Sequence, residues 1–272
     1  MAISDISLTA GMRSNLLQLQ NTSRNIDRTQ ERLSTGKQVN SALDNPTNFF
    51  ASQAALNRAA DFSSRKDGMG EAIQNVKAAD AGITAITALV SAAKGLAEAA
   101  LGTQITADRT AFGLQYNAIQ TQIDSLATDS QYRGTNLLKS QNLTVNFNES
   151  ASSNLTVTGF SATATGLSMS SVAANGWDTN GGISGDQTKM DSAITALRSQ
   201  SKSLAGNLNI ITTRQSFTDS MINTLQTGSD NLTLADMNNE GANMLMLQTR
   251  QSLGTTALSM SSQAAQSVLR LF

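Results

Sequence analysis

The chain has 272 residues, with 19 Lys and Arg against 20 Asp and Glu, and neither Cys nor His. Those two absences exclude zinc fingers, thiol nucleophiles, Ser-His-Asp triads, haem ligation and histidine pH switches, and the near-neutral balance argues against nucleic acid as a partner. Charged residues are only 14% and aromatics 4%, while Ser, Thr, Asn and Gln fill roughly two-fifths of the chain, so the Ala-rich apolar content points to thin packing between helices.

The opening Met1-Ala2-Ile3-Ser4-Asp5 has neither a basic segment nor an apolar run, so no cleaved Sec-type signal is expected. Uninterrupted apolar runs stay far short of the ~20 residues that span a bilayer, so no membrane insertion is expected. Alternating steps of four and three then run through Met12, Leu16, Leu19, Ser23, Ile26, Gln30 and Leu33. Asp44-Asn45-Pro46 offers a capping side chain followed by proline at a first helical position, where its missing N–H costs nothing. Gly68-Met69-Gly70 lacks the strand before it and the Lys-Ser/Thr after it that a phosphate loop requires.

A cleaner series follows: Ala72, Val76, Ala79, Ile83, Ile86, Val90, Ala93, Ala97 and Ala100. A third comprises Ile105, Arg109, Phe112, Tyr116, Ile119, Ile123 and Leu126, with Gly134 expected to end that helix. Period-two alternation in Leu143-Thr144-Val145-Asn146-Phe147 and Leu155-Thr156-Val157-Thr158, separated by Asn148-Glu149-Ser150, reads as a β-hairpin. Residues 150–177 carry no charge, and 159–186 read as loop or weak strand. Heptads return at Met190, Ile194, Leu197, Ser201, Leu204, Leu208 and Ile211, then Ile222 and Leu225. Gly228-Ser229-Asp230-Asn231 is expected to break the helix. The tail carries Met244, Leu247, Gln251, Gly254, Leu258, Ser261, Ala265, Val268 and Phe272.

A sustained 3.5-residue period winds partner helices around one another. The fold class is therefore mainly α: long heptad-patterned coiled-coil helices from both termini, with a small central β-hairpin insertion. No constellation supports catalysis, a metal or a cofactor; Asp61, Asp124 and Asp129 read as solvated faces. Asn142-Leu143-Thr144 and Asn154-Leu155-Thr156 match the N-glycan acceptor pattern, which chance explains in so Asn-rich a chain.

Leu33-Ser34-Thr35-Gly36 followed by Asn40-Ser41-Ala42-Leu43-Asp44 resembles the N-terminal signature of bacterial flagellin. Asn15-Leu16-Leu17 and Arg32-Leu33 resemble that family's leading helix, and Gln131-Tyr132-Arg133-Gly134-Thr135-Asn136-Leu137-Leu138 its step into a hairpin. Leu253-Gly254-Thr255-Thr256-Ala257-Leu258 through Gln263-Ala264-Ala265-Gln266-Ser267-Val268-Leu269 is similar to its closing helix. The matches cover about 1–140 and 187–272 and frame an unalike middle.

The resemblance implies a structural subunit that self-polymerises into a helical flagellar filament for swimming, exported without a cleaved signal peptide by the flagellar type III route. It implies an N-terminal inner-tube helix over 1–34, a spoke over 35–45, and the two halves of a surrounding helical layer over 46–139 and 187–229. A hairpin with a short variable outer segment would fill 140–186, and a C-terminal inner-tube helix 230–272. The implied subunit interface is Leu16, Leu19, Ile26, Leu33, Met244, Leu247, Leu258, Val268, Leu269 and Phe272. Implied partners are other copies, an export chaperone, and the cap and hook-junction proteins, with no cofactor. The rival readings are a hook–filament junction protein of the same family and, outside it, a coiled-coil signalling protein.

The family's innate-receptor contact resembles Leu89-Val90-Ser91-Ala92-Ala93-Lys94-Gly95-Leu96 here, yet both arginines are replaced, by Ser91 and Ala93, and Lys94 stands where the acid would be. A receptor reporter assay on purified monomer is therefore expected to give a weak response, well below that of a typical enteric flagellin.

Overall fold

The computed structural model describes residues 10–173 and 175–269, the side chains of Val268 and Leu269 excepted. Its elements in order are α1 (Ala10–Thr35), α2 (Pro46–Gly102), α3 (Thr106–Asp129), β1 (Leu143–Asn146), β2 (Asn154–Val157), α4 (Asn180–Thr233) and α5 (Met237–Leu269). By internal contacts the chain forms two units, residues 1–57 with 225–272, and residues 58–224.

In the first unit α1 packs on α5. Gly36, at φ 70°, takes the left-handed conformation that ends α1. The following segment is pinned to the end of α4: the Gln38 amide donates to the Thr233 carbonyl at 2.8 Å, and the Ala235 amide to that of Gly36 at 3.0 Å. A tight turn then leads into α2. The Asp44 carboxylate accepts from the amides of Asn40 and Ser41, at 3.1 and 3.0 Å, and from the Ser41 hydroxyl. Asn45 caps α2 by accepting from the Asn48 amide at 3.1 Å, with Pro46 at the first helical position as expected.

The backbone amides of Ser41 and Asn40 hold the Asp44 carboxyl below its usual 3.8. A depressed carboxyl pKa means the turn is secured above the unfolded value and loosens as pH falls through the folded one. A ¹³C titration of Asp44 is expected to give a midpoint below that of free aspartate, with the Asn40 and Ser41 amide shifts moving in step.

The second unit holds the large apolar core. All nine residues of the cleanest heptad series, from Ala72 to Ala100, are buried, and the seam extends back through Met69. Met69 therefore lies inside a helix between its two glycines. Opposite run Met190, Leu197, Leu204 and Ile211 of α4, with Tyr116, Ile123 and Ala127 of α3 completing the cluster. By length and composition α2 is apolar enough to cross a membrane, with a mean hydropathy of 1.3 over 18 residues. A window average passes where uninterrupted runs do not, and this helix spends its apolar side on the core.

The hairpin is antiparallel, pairing Leu143 with Val157 and Val145 with Leu155. Val145 and Val157 turn into the core while Thr144 and Thr156 stay exposed, as the period-two alternation requires.

Several expectations change. The third helix ends at Asp129, because Gly134 sits in a separate turn closed by reciprocal Tyr132–Thr135 backbone bonds of 3.1 Å. α4 runs straight through Gly228 to Thr233. One helical glycine costs only about 1 kcal/mol, and the next residue, Ser229, is buried against Ser52 with their hydroxyls 2.8 Å apart. The break falls instead at 234–236, where Asp236 caps α5 by accepting from the amides of Asn238 and Asn239.

The charge-free stretch is also more than an outer loop. Ala162, Ala164, Leu167, Met169 and Trp177 are core residues. Side chains of α3 bind its backbone: Asn117 bonds both the amide and the carbonyl of Val172, and Gln120 donates to the Ser170 carbonyl. Asp124 accepts from the Ala164 amide at 2.8 Å, so it is a structural acceptor and not merely a solvated group. The buried positions of this stretch cannot carry charge cheaply, while about half of its residues, Thr165, Ser168 and Ser170 among them, are exposed. The segment 159–186, expected as loop or weak strand, is helical from Asn180, with Thr179 accepting from the Gly182 amide at 3.3 Å.

Candidate assembly surfaces

α1 and α5 expose different amounts of apolar surface on their different sides. The covered side of α1 follows Met12, Asn15, Leu19, Thr22, Ile26, Thr29 and Leu33, in strict alternation of three and four. Leu19, Ile26 and Leu33 thus lie where the heptads put them, but Leu16, Ser23 and Gln30 do not; Asn15, Thr22 and Thr29 take those places. The Thr22 hydroxyl can enter this seam because it donates to the Gln18 carbonyl of its own helix at 2.9 Å.

On α5 the covered side includes Glu240, Met244, Leu247, Gly254, Leu258, Ser261 and Ala265, which follows the tail series closely. At Gly254 the two helices pack tightly: a Cβ there would lie 2.7 Å from Leu19 Cδ2. Near the other end Arg32 donates to the largely buried Glu240 at 2.9 Å, fixing the register of α1 on α5. Of the ten residues expected at the interface, six are therefore covered within the chain: Leu19, Ile26, Leu33, Met244, Leu247 and Leu258. Leu16 is not, and the side chains of Val268 and Leu269, with all of Phe272, lie outside the described residues.

The uncovered sides are the features that pattern reading missed. Leu16 (38% exposed) adjoins the still more open Leu17 on α1, and on α5 Met246 (49%), Leu253 (67%) and Met260 (60%) recur every seventh residue. Leu245 is equally open, and Ala242, Leu245, Met246, Thr249, Arg250 and Leu253 line a shallow groove along α5. A second heptad stripe, read on its own, would have shown it. Among the described residues no group of three or more acidic side chains could hold a metal ion. Lys94, in the departed receptor motif, pairs with Asp191 of α4 at 2.6 Å.

α1 and α5 thus form a pair of long helices, each with apolar side chains left open. The family profile described as the bacterial flagellin N-terminal helical region matches residues 6–143, half of the chain. The chain belongs to the bacterial flagellin family. It is 28% identical to flagellin FljK of Caulobacter vibrioides over 276 residues, covering all of both chains. It is 26% identical to a flagellin of Brucella melitensis over 265 residues, covering 93% of this chain and 94% of that one. Among solved structures, the Bacillus cereus flagellin crystal structure aligns at 18% identity with a TM-score of 0.48, over 56% of this chain and 88% of that one. This flagellin is accordingly a structural subunit of the bacterial flagellar filament, an extracellular appendage built by self-assembly.

Proposed function

We propose that copies of this flagellin join through the sides of α1 and α5 that the chain itself leaves open, and that the α1–α5 pair is the unit that docks. The observation that carries this is the apolar stripe of Met246, Leu253 and Met260 on a helix whose other side is already occupied. Water contact with such a stripe is unfavourable by roughly 25 cal/mol for each Å² of apolar surface, and a neighbouring copy removes it. Leu19, Ile26, Leu33, Met244, Leu247 and Leu258 serve assembly indirectly, by holding the pair together. Leu16, with Val268, Leu269 and Phe272, makes contacts between copies.

On this reading 1–34 and 230–272 form the inner tube, with 35–45 as spoke. Residues 46–139 and 187–229 form the surrounding layer, and parts of 140–186 reach the outside. The same family membership supports an export chaperone, a cap and hook-junction proteins as partners, and a role without catalysis. A repeated contact that does not close on itself yields a helical filament. Electron microscopy after salt- or seed-induced polymerisation is expected to show long tubes. Deleting 268–272 is expected to leave soluble monomer that forms none, and normal filaments from that truncation would overturn the interface role.

A further inference from the structure

Among the described methionines Met12 is buried and Met221 and Met244 are half-buried, and the remaining six lie at the extremes. Met69, Met169 and Met190 are buried in the core of the second unit, whereas Met237, Met246 and Met260, all on α5, are about half exposed. We infer that Met246 and Met260 are sites of oxidative modification in the unassembled subunit, and that their sulfoxides block its assembly. This rests on the docking side of α5 proposed above.

The chemistry needs a peroxide and nothing else. A thioether lone pair attacks one peroxide oxygen, the O–O bond breaks, and water leaves with the other oxygen. Sulfur is oxidised by two electrons and the peroxide is reduced by two. Access to the sulfur decides the rate, so the α5 residues react before the core ones. The product matters because a sulfoxide is a strong hydrogen-bond acceptor on a formerly apolar side chain. Met246 and Met260 flank Leu253 on the open stripe, where a docking helix offers little to satisfy that acceptor. Every copy carries both sites, so the defect repeats along the polymer, and enzymatic reduction of the sulfoxides would restore the subunit.

Met237 supplies an internal control. It precedes Met246 by nine residues, about 180° around the helix, so it is equally reactive but off the stripe. The test treats monomer with hydrogen peroxide, maps sulfoxides by peptide mass spectrometry, and measures the critical concentration for polymerisation. Oxidation is expected at Met237, Met246 and Met260 well before Met69, Met169 and Met190, with the critical concentration raised at least tenfold. A Met246→Leu/Met260→Leu variant should assemble normally before and after peroxide, although its Met237 is still oxidised.

Oxidised wild-type subunits that assemble at the untreated concentration would overturn the inference, as would equal inhibition of the double variant. The docking reading is checked separately by treating finished filaments. Protection of Met246 and Met260 there, with normal assembly of oxidised monomer, would overturn only the oxidation inference. Oxidation in the filament at the monomer's rate would overturn both.

Discussion

Leu253→Glu is expected to leave a folded subunit that no longer polymerises. Leu253 sits at the middle of the open stripe on α5 and is two-thirds exposed, so the substitution removes almost no contact within the chain. Glu is close to Leu in helix propensity, and a surface change of this kind alters stability by about 0.5 kcal/mol or less. Thermal unfolding followed by circular dichroism should therefore match the wild type. Assembly is different, because a docked neighbour would bury a carboxylate with no partner supplied for it. That costs several kcal/mol, and every 1.4 kcal/mol is a factor of about ten in the critical concentration. A rise of at least about a hundredfold is expected by sedimentation and electron microscopy. Filaments forming at the wild-type concentration would remove Leu253 from the interface.

What the heptads could and could not reveal follows from contrast between neighbouring positions. In α2 every seam residue is aliphatic or Ala. Although Ile73, Leu89, Leu96 and Leu101 stand beside the seam, the neighbouring registers are broken by Glu71 and Asn75 or by Lys77, Asp80, Lys94 and Glu98. A single register therefore fits, and all nine residues from Ala72 to Ala100 are buried. In α1 the choice was between Leu16 and Asn15, Ser23 and Thr22, and Gln30 and Thr29. Hydrophobicity favours Leu16, yet the covered residues are Asn15, Thr22 and Thr29. That choice misleads because it assumes one chain buries its own apolar surface. In a polymer subunit the more apolar residue can be the one left for a neighbour. A similar one-residue shift occurs in α3, where Gly113, Gln120 and Ala127 are buried and Phe112, Ile119 and Leu126 only partly so.

The helix ends were legible where a specific side chain announces them, and misread where only glycine did. Asn45-Pro46 starts α2 as expected, since both the cap and the fixed φ are local properties. Gly228 stays helical because a contact distant in sequence, Ser229 with Ser52, outweighs about 1 kcal/mol, and Gly181-Gly182 form the first turn of α4, where Thr179 accepts from the Gly182 amide. The buried role of Ala164, Leu167 and Trp177 was hidden for a related reason. Their enclosure depends on the amide side chains of Asn117 and Gln120 and the carboxylate of Asp124 satisfying the backbone of 164–172, a pairing with no local periodicity.

Arg109→Met is expected to destabilise the second unit by roughly 3 kcal/mol, the largest loss from any single side chain considered. Arg109 occupies a seam position of α3 and is 5% exposed. Its Nε donates to the carbonyls of Ala100 and Thr103, at 3.1 and 2.8 Å, where α2 runs out of partners for its last carbonyls. Its Nη1 donates to the Asp178 carbonyl at 2.9 Å and its Nη2 to Asn180 Oδ1 at 2.6 Å, at the entry to α4. One planar guanidinium thus joins the end of α2, the start of α3 and the start of α4. Methionine keeps the apolar stem but strands four acceptors, each worth about 1–3 kcal/mol if fully cut off from water, and partial rehydration lowers the sum. Arg109→Lys should recover less than half of the loss, because a single ammonium cannot reach both ends of the fork. Urea unfolding gives the magnitude, and hydrogen exchange gives the place: protection should fall first in 98–103 and 178–183. A variant that unfolds at the wild-type urea concentration would show that water replaces the guanidinium at no cost.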